Sequence, residues 1–191
     1  MAKNLKNDQA LLKWFRVKII FNWYDHVLGG SLAAAESLIK RECQVAINWG
    51  GGWHHGQRDE ASGFCYVNDI VLAIQHLRQE FDRVLYVDLD VHHGDGVENA
   101  FSFSPKIFTF SIHKFEAGYF PGSGNIADIG QGKGKFYSLN IPLKDGIDDA
   151  TYVYIFERCL ITLFLLNNFI QFAFFTVFSP KYFMHSNQTP L

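Results

Sequence analysis

The sequence predicts an α/β fold, a mostly parallel sheet covered by helices on both faces in a three-layer sandwich. Three observations carry this. Strand-like and helix-like segments alternate from residue 20 to about residue 158. Runs such as Val84-Leu85-Tyr86-Val87 are continuously apolar, as strands buried on two faces should be. Clusters of Asp, His and Gly follow these runs, and open parallel sheets keep their chemistry beyond the carboxyl ends of strands.

The elements follow in order. Residues 1–19 are polar and basic and read as a mobile lead-in. Gly29-Gly30-Ser31 opens a helix with Leu32, Ala35, Leu38 and Ile39 on one face. Val45-Ala46-Ile47-Asn48 reads as a short strand ending in the loop that holds Gly50, Gly51 and Gly52. Phe64 to Leu77 carries Val67, Ile70, Val71, Ile74 and Leu77 at helical spacing. Val84–Val87 is a buried strand leading into Asp88. Ile107 to Ile112 is another, followed by a Gly/Pro loop from Gly118 to Gly124.

From residue 159 the texture changes. Cys159 to Phe178 holds no charged residue over 20 positions, and as a helix it would be about 30 Å long, enough to cross a bilayer. Asn167, Asn168 and Gln171 at its middle are costly in lipid. The preferred reading of 159–191 is a divergent, Phe-rich tail that replaces the rest of a domain, from alternative splicing or an imperfect gene model.

Composition excludes some classes. With 48% hydrophobic and 19% charged residues, the chain can bury a core and is not disordered. A formal charge of −2 gives no basic footprint for nucleic acid. Cys43, Cys65 and Cys159 form no C-x-x-C pair, which fits a reducing compartment rather than a disulfide scaffold. Lys13, Arg16 and Lys18 interrupt the first apolar stretch, so no signal-peptide core is drawn there.

Two clusters carry chemistry. In Val87-Asp88-Leu89-Asp90-Val91-His92-His93-Gly94-Asp95-Gly96, extended backbone points Asp88, Asp90 and His92 to one side. A carboxylate and an imidazole so spaced are half of a metal site, suited to zinc and also to manganese or iron. A structural loop capping a helix near Gly96 accounts for Asp95 alone. In Gly50-Gly51-Gly52-Trp53-His54-His55-Gly56, neighbouring imidazoles can act as proton acceptor and electrostatic stabiliser. Carboxylates behind them would fix the tautomer, which leaves Asp88 and Asp95 for support.

INWGGGWHHGQRDEASGFCYVNDI, RVLYVDLDVHHGDGVENAFSF and SIHKFEAGYFPGSGNIADIGQGKGKFYSLNIPLKDGIDD resemble the signature segments of class I zinc-dependent histone deacetylases, of the isozyme-8 type. The resemblance covers 20–158, a partial domain of the arginase/deacetylase-like fold. It implies hydrolysis of N6-acetyl-lysine on histone tails or other proteins, in the nucleus or also the cytoplasm, as part of chromatin and transcription regulation. It implies Asp90 and His92 as zinc ligands and His55 as the general base. His54 would assist electrostatically, with Asp88 behind His54 and Asp95 behind His55. Gly63, Phe64 and Phe120 would line a tunnel for the lysine stem. Structural potassium would lie at Asp88, Asp90 and His92 with Ser111 and Ile112, and again at Phe101, Ser104, Ile107 and Tyr137.

The resemblance also implies a third zinc ligand, a later aspartate, and an oxyanion-binding tyrosine in a G-G-G-Y turn. Beyond residue 158 there is no aspartate and no such turn, and Tyr182 stands in the wrong context. The acidic substrate-gripping loop upstream of residue 20 is missing as well. The chain as written is therefore expected to be an impaired enzyme, its sheet left with an exposed edge. The other readings are a non-catalytic fragment acting through binding, an arginase-like metallohydrolase, and a membrane-tethered protein. His113 reads as a structural histidine, Cys65 as a buried small hydrophobe, and Gly132-Lys133-Gly134-Lys135 as a turn.

Overall fold

The computed structural model describes residues 25–167 and 172–178. The lead-in over 1–19 and Tyr182 lie outside them. Helix α1 covers residues 25–39. It is followed by α2 (Asp69–Leu77), β1 (Arg83–Leu89), α3 (Asp95–Phe101), β2 (Ile107–Lys114), β3 (Ser138–Leu143), α4 (Asp149–Asn167) and β4 (Phe172–Phe178). The strands form one sheet in the order β3-β2-β1-β4, and every neighbouring pair is parallel. The α/β expectation holds.

Strand alternation builds two cores. Val84 and Tyr86 of β1 pack with Ala35 of α1, Ile70, Ile74 and Leu77 of α2, and Val97 and Phe101 of α3. Leu85 and Val87 face the other way, with Phe108, Phe110 and Ile112 of β2, Leu143 of β3 and Leu163 of α4. Both faces of β1 are thus dry, which is why its sequence does not alternate. Asp88, next on the α1–α3 face, carries that face past the core and into the site.

Several boundaries differ from the sequence reading. Residues 45–48 form no strand, and Val45 and Ile47 are 74% and 66% exposed. A strand needs a neighbour for its backbone groups, and none of the described strands pairs with this segment. Helix α1 does not open at Gly29 but runs through it. Gly30 leaves room for Asn48, whose Nδ2 donates to the Val27 carbonyl at 3.0 Å. Helix α2 starts at Asp69, not Phe64. Gly63 and Phe64 adopt φ of 53° and 68°, which a right-handed helix excludes, and Asn68 caps the first turn through Val71 N–H at 3.1 Å.

The apolar run Cys159–Phe178 is not one helix. Helix α4 continues across residue 158 to Asn167, and Phe172–Phe178, rich in aromatic and β-branched residues, is a strand. β4 pairs with β1 from Arg83↔Phe172 to Leu89↔Phe178, so β1 is not the edge of the sheet. Among the described residues no helix is long and apolar enough to cross a membrane.

Phe110 has no exposed surface. Phe110→Ala is expected to cost about 3–5 kcal/mol in urea denaturation, whereas Val153→Ala on the exposed side of α4 should stay within about 0.5 kcal/mol.

Candidate active site

The carboxyl end of β1 fixes one half of the site. Beyond Leu89 the chain leaves the strand, so alternation alone does not gather the next residues. Two side-chain-to-backbone links do: Asp88 Oδ1 accepts from Asp90 N–H at 2.9 Å, and Asp90 Oδ1 from His92 N–H at 2.8 Å. Such Asx links favour a turn over an extended chain. Gly94 and Gly96 then let the backbone pass close to its neighbours. A Cβ at Gly94 would collide with the Asp88 carboxylate, and one at Gly96 would lie 2.6 Å from the His54 carbonyl.

The tandem histidines form the other half. His54 and His55 are each 4% exposed, with ring centroids 4.0 Å apart. His54 Nδ1 bonds to Asp88 Oδ2 at 2.7 Å, and His55 Nδ1 to Asp95 Oδ1 at 2.7 Å. With Nδ1–H donated to a carboxylate, Nε2 is the nitrogen of each ring not bound to that carboxylate, and in a neutral ring it can accept a proton. The loop is set by α2 and not by a preceding strand. Asn68 Nδ2 donates to the His54 and Gly56 carbonyls at 3.3 and 3.0 Å, and Asp69 binds the Gly52 and Trp53 amides.

The electrostatics divide the two rings. Burial opposes charge on His54, but the Asp88 charge and hydrogen bond, with Asp90 and Asp95 beyond, raise its pKa above the ordinary histidine value. Burial lowers the pKa of His55; the Asp95 hydrogen bond works against this, and the neighbouring His54 charge reinforces it. Burial also opposes ionisation of Asp90, yet its bond to His92 and the charge of His54 hold its carboxyl below the usual range. Tyr86, fully buried, donates its hydroxyl to Asp88 Oδ2, and burial followed by the Asp88 charge pushes its pKa well above normal.

The donor chemistry of Asp90 and His92 fits a divalent ion. Asp90 Oδ1 and His92 Nδ1 lie 3.1 Å apart, close to the separation of two ligands sharing one ion through bonds of about 2.0–2.2 Å. Among the described residues no group of three His, Cys, Asp or Glu side chains gathers at one point. Among the described residues, Asp90 and His92 are thus two neighbouring candidate donors with no third beside them.

Around this cluster, Phe120 packs edge-on to His55 and His92, with centroids 4.8 and 5.8 Å away. A Cβ at Gly63 would lie 2.9 Å from the Phe120 ring and against His55, so a bare backbone borders the rings here. Phe64 stands 91% exposed. Of the residues named for potassium, Asp88 and Ser111 are register partners across β1 and β2, with Ile112 next to them. Phe101, Ser104, Ile107 and Tyr137 lie near the opposite end of the strands, where Ser104 N–H reaches the Phe101 carbonyl at 2.8 Å.

Several residues were not singled out from sequence. Asn68-Asp69 before an apolar run is a capping signal. Tyr86 shares the face of Asp88 by alternation. Gln57, which donates to Asp95 Oδ2 at 2.9 Å, and Tyr119, stacked on His92 at 5.3 Å, gave no local signal. His113 is fully buried. Its Nε2–H donates to the Gly124 carbonyl at 2.9 Å and its Nδ1 accepts from Ser111 at 2.8 Å, a structural role. Cys65 is also buried, and burial raises its pKa.

Fold and site together define a class: parallel α/β proteins that gather carboxylates and imidazoles beyond their strand ends. Residues 12–170 match the histone deacetylase domain, and the chain belongs to the histone deacetylase family. It is 56% identical over 149 residues to histone deacetylase 8 of Xenopus laevis, covering 78% of this chain and 46% of that protein. It is 56% identical over 144 residues to histone deacetylase 8 of Danio rerio, covering 75% and 38%. To histone deacetylase 1 of Homo sapiens it is 54% identical over 138 residues, covering 72% and 28%. These matches bear out the class I, isozyme-8-type resemblance. The chain spans less than half the length of these relatives.

Burial, then the charge of His93, lowers the pKa of His113 to about 4. An unfolded histidine titrates near 6.5, so its stabilising contribution is complete above that pH and is lost as pH falls from about 6.5 towards 4. His113→Gln should remove about 3 kcal/mol of the stability change across this window, read as the difference between urea midpoints of the two proteins at each pH.

Proposed function

We propose that this chain carries the base-and-ligand half of a zinc-dependent lysine deacetylase site, acting on N6-acetyl-lysine in histone tails or other proteins. The observation that carries the reading is the pair of buried His–Asp bonds at 2.7 Å beside Asp90 and His92. Zinc held by Asp90 and His92 would polarise the acetyl carbonyl and lower the pKa of water. His55, kept neutral by its lowered pKa, takes the proton from the attacking water through Nε2 and returns it to the departing lysine amine. His54, whose raised pKa favours the charged form, supplies positive charge near the developing oxyanion. Asp88 and Asp95 hold the ring tautomers. Phe120, with Gly63 and Phe64 at the rim, lines the path of the apolar lysine stem. Potassium at the Asp88–Ser111–Ile112 and Phe101–Ser104–Ile107–Tyr137 groups would brace the two ends of the strands, and a nuclear setting fits the substrate.

Two donors that the family resemblance implies are not among the described residues, an aspartate ligand and an oxyanion-binding tyrosine. The chain by itself is therefore an impaired catalyst, and binding of acetylated partners without turnover is the second reading. After dialysis against zinc, the purified chain should hold less than one equivalent. Loss of one oxyanion donor alone should place acetyl-peptide turnover about 10²–10³ below that of an intact deacetylase. Asp90→Ala should abolish the retained zinc. Equal zinc retention by Asp90→Ala and the parent chain would remove the metal assignment, and stoichiometric zinc with full turnover would remove the impairment.

A further inference from the structure

We infer that Asp69 is a positioning residue for the tandem histidines: it clamps the backbone of the two residues before them, and the two His–Asp bonds depend on that clamp. The inference rests on the proposed roles of His54 and His55, but its geometry stands apart from them.

Asp69 is the first residue of α2 and is 2% exposed. Its neighbour Asn68 already caps the helix through Val71 N–H, so the Asp69 carboxylate is not needed for that. Instead its hydrogen bonds go to other segments. Oδ2 accepts from the Ser31 hydroxyl of α1 at 2.5 Å and from Gly52 N–H at 3.1 Å, and Oδ1 accepts from Trp53 N–H at 2.9 Å. A carboxylate this buried is tolerated only when several donors meet it, and charge-assisted bonds are the strong ones.

The loop fits around this carboxylate. A Cβ at Gly51 would lie 2.5 Å from Asp69 Oδ2 and 2.8 Å from Ser31 Oγ, so the backbone passes as close as glycine allows. Asn68 holds the carbonyls of His54 and Gly56 from the same helix end, and Gly96 closes against those carbonyls from α3. Residues 52, 53, 54 and 56 are thus each tethered, and the imidazoles have little freedom except at χ1 and χ2. Hydrogen bonds of 2.7 Å to two carboxylates on different elements, Asp88 in β1 and Asp95 in α3, tolerate little drift of that backbone.

The test is proton NMR of the whole chain as the parent protein and as Asp69→Asn, Asp69→Ala and Ser31→Ala. Asn keeps the shape of Asp69 and one carbonyl acceptor, so it serves where Ala fails to fold. Two signals are read: the downfield Nδ1 protons of His54 and His55, and amide exchange at Gly52 and Trp53 against Ala73 and Ile74 in α2. For Asp69→Asn the expected result is exchange at Gly52 and Trp53 at least about tenfold faster, with the downfield protons broadened or lost. Ala73 and Ile74 should stay protected. Ser31→Ala, which leaves both amide bonds in place, should lower the melting temperature but keep both downfield protons. Retention of those protons in Asp69→Asn, or their loss only together with Ala73 and Ile74 protection, overturns the inference. Zinc retention by the parent chain and by Asp90→Ala is measured alongside. The expected NMR response in Asp69→Asn together with equal zinc retention by the parent chain and Asp90→Ala counts against the proposed function and leaves the positioning role standing.

Discussion

The site depends on one buried charge. Asp88 has no exposed surface, and the low dielectric around it makes every unmet lone pair expensive. Three donors answer it: the His54 ring, the Tyr86 hydroxyl and the Asp90 amide. Each sets something else. The His54 bond fixes the orientation of that ring. The Asp90 bond starts the turn that brings Asp90 and His92 together. Tyr86 ties the carboxylate back into the core formed by α1, α2 and α3. The approach of Gly94 completes the enclosure, since no larger residue fits beside the carboxylate.

Much of this was legible in the amino acids, for a physical reason. Dry strands announce themselves by continuous apolar runs, and β1 and β2 were found that way. The Asp/His segment after β1 was legible because charged groups behind an apolar strand need partners. The segment around Val45 misled because pairing is decided by a neighbour and not by the residues themselves. The start of α2 was misread because helical spacing from Phe64 ignored Gly63 and Phe64 in a turn of positive φ and the capping power of Asn68. What held the histidine loop was therefore hidden: the expected strand before it does not exist, and its anchors come from a helix start that follows it in sequence.

The two imidazoles illustrate how near-identical neighbours acquire different chemistry. Each has one carboxylate partner at the same distance. His54 also feels Asp90 and Asp95, and its pKa rises. Burial, reinforced by the charges of His54 and His92, lowers the pKa of His55. Surroundings, not residue type, separate the proton acceptor from the charge stabiliser.

The pairing of β4 with β1 bears on how the chain is made. β1, α3 and β2 follow one another closely, so their contacts can form early, while the chain is still being synthesised. The partner on the other side of β1 comes from the last described segment of the chain. Until the ribosome has released that stretch, one flank of β1, a strand buried from Val84 to Asp88, is open to any passing extended peptide. The nascent chain is thus prone to sticking in the interval between the synthesis of β1 and that of β4, which makes chaperone supply and growth temperature levers on its yield.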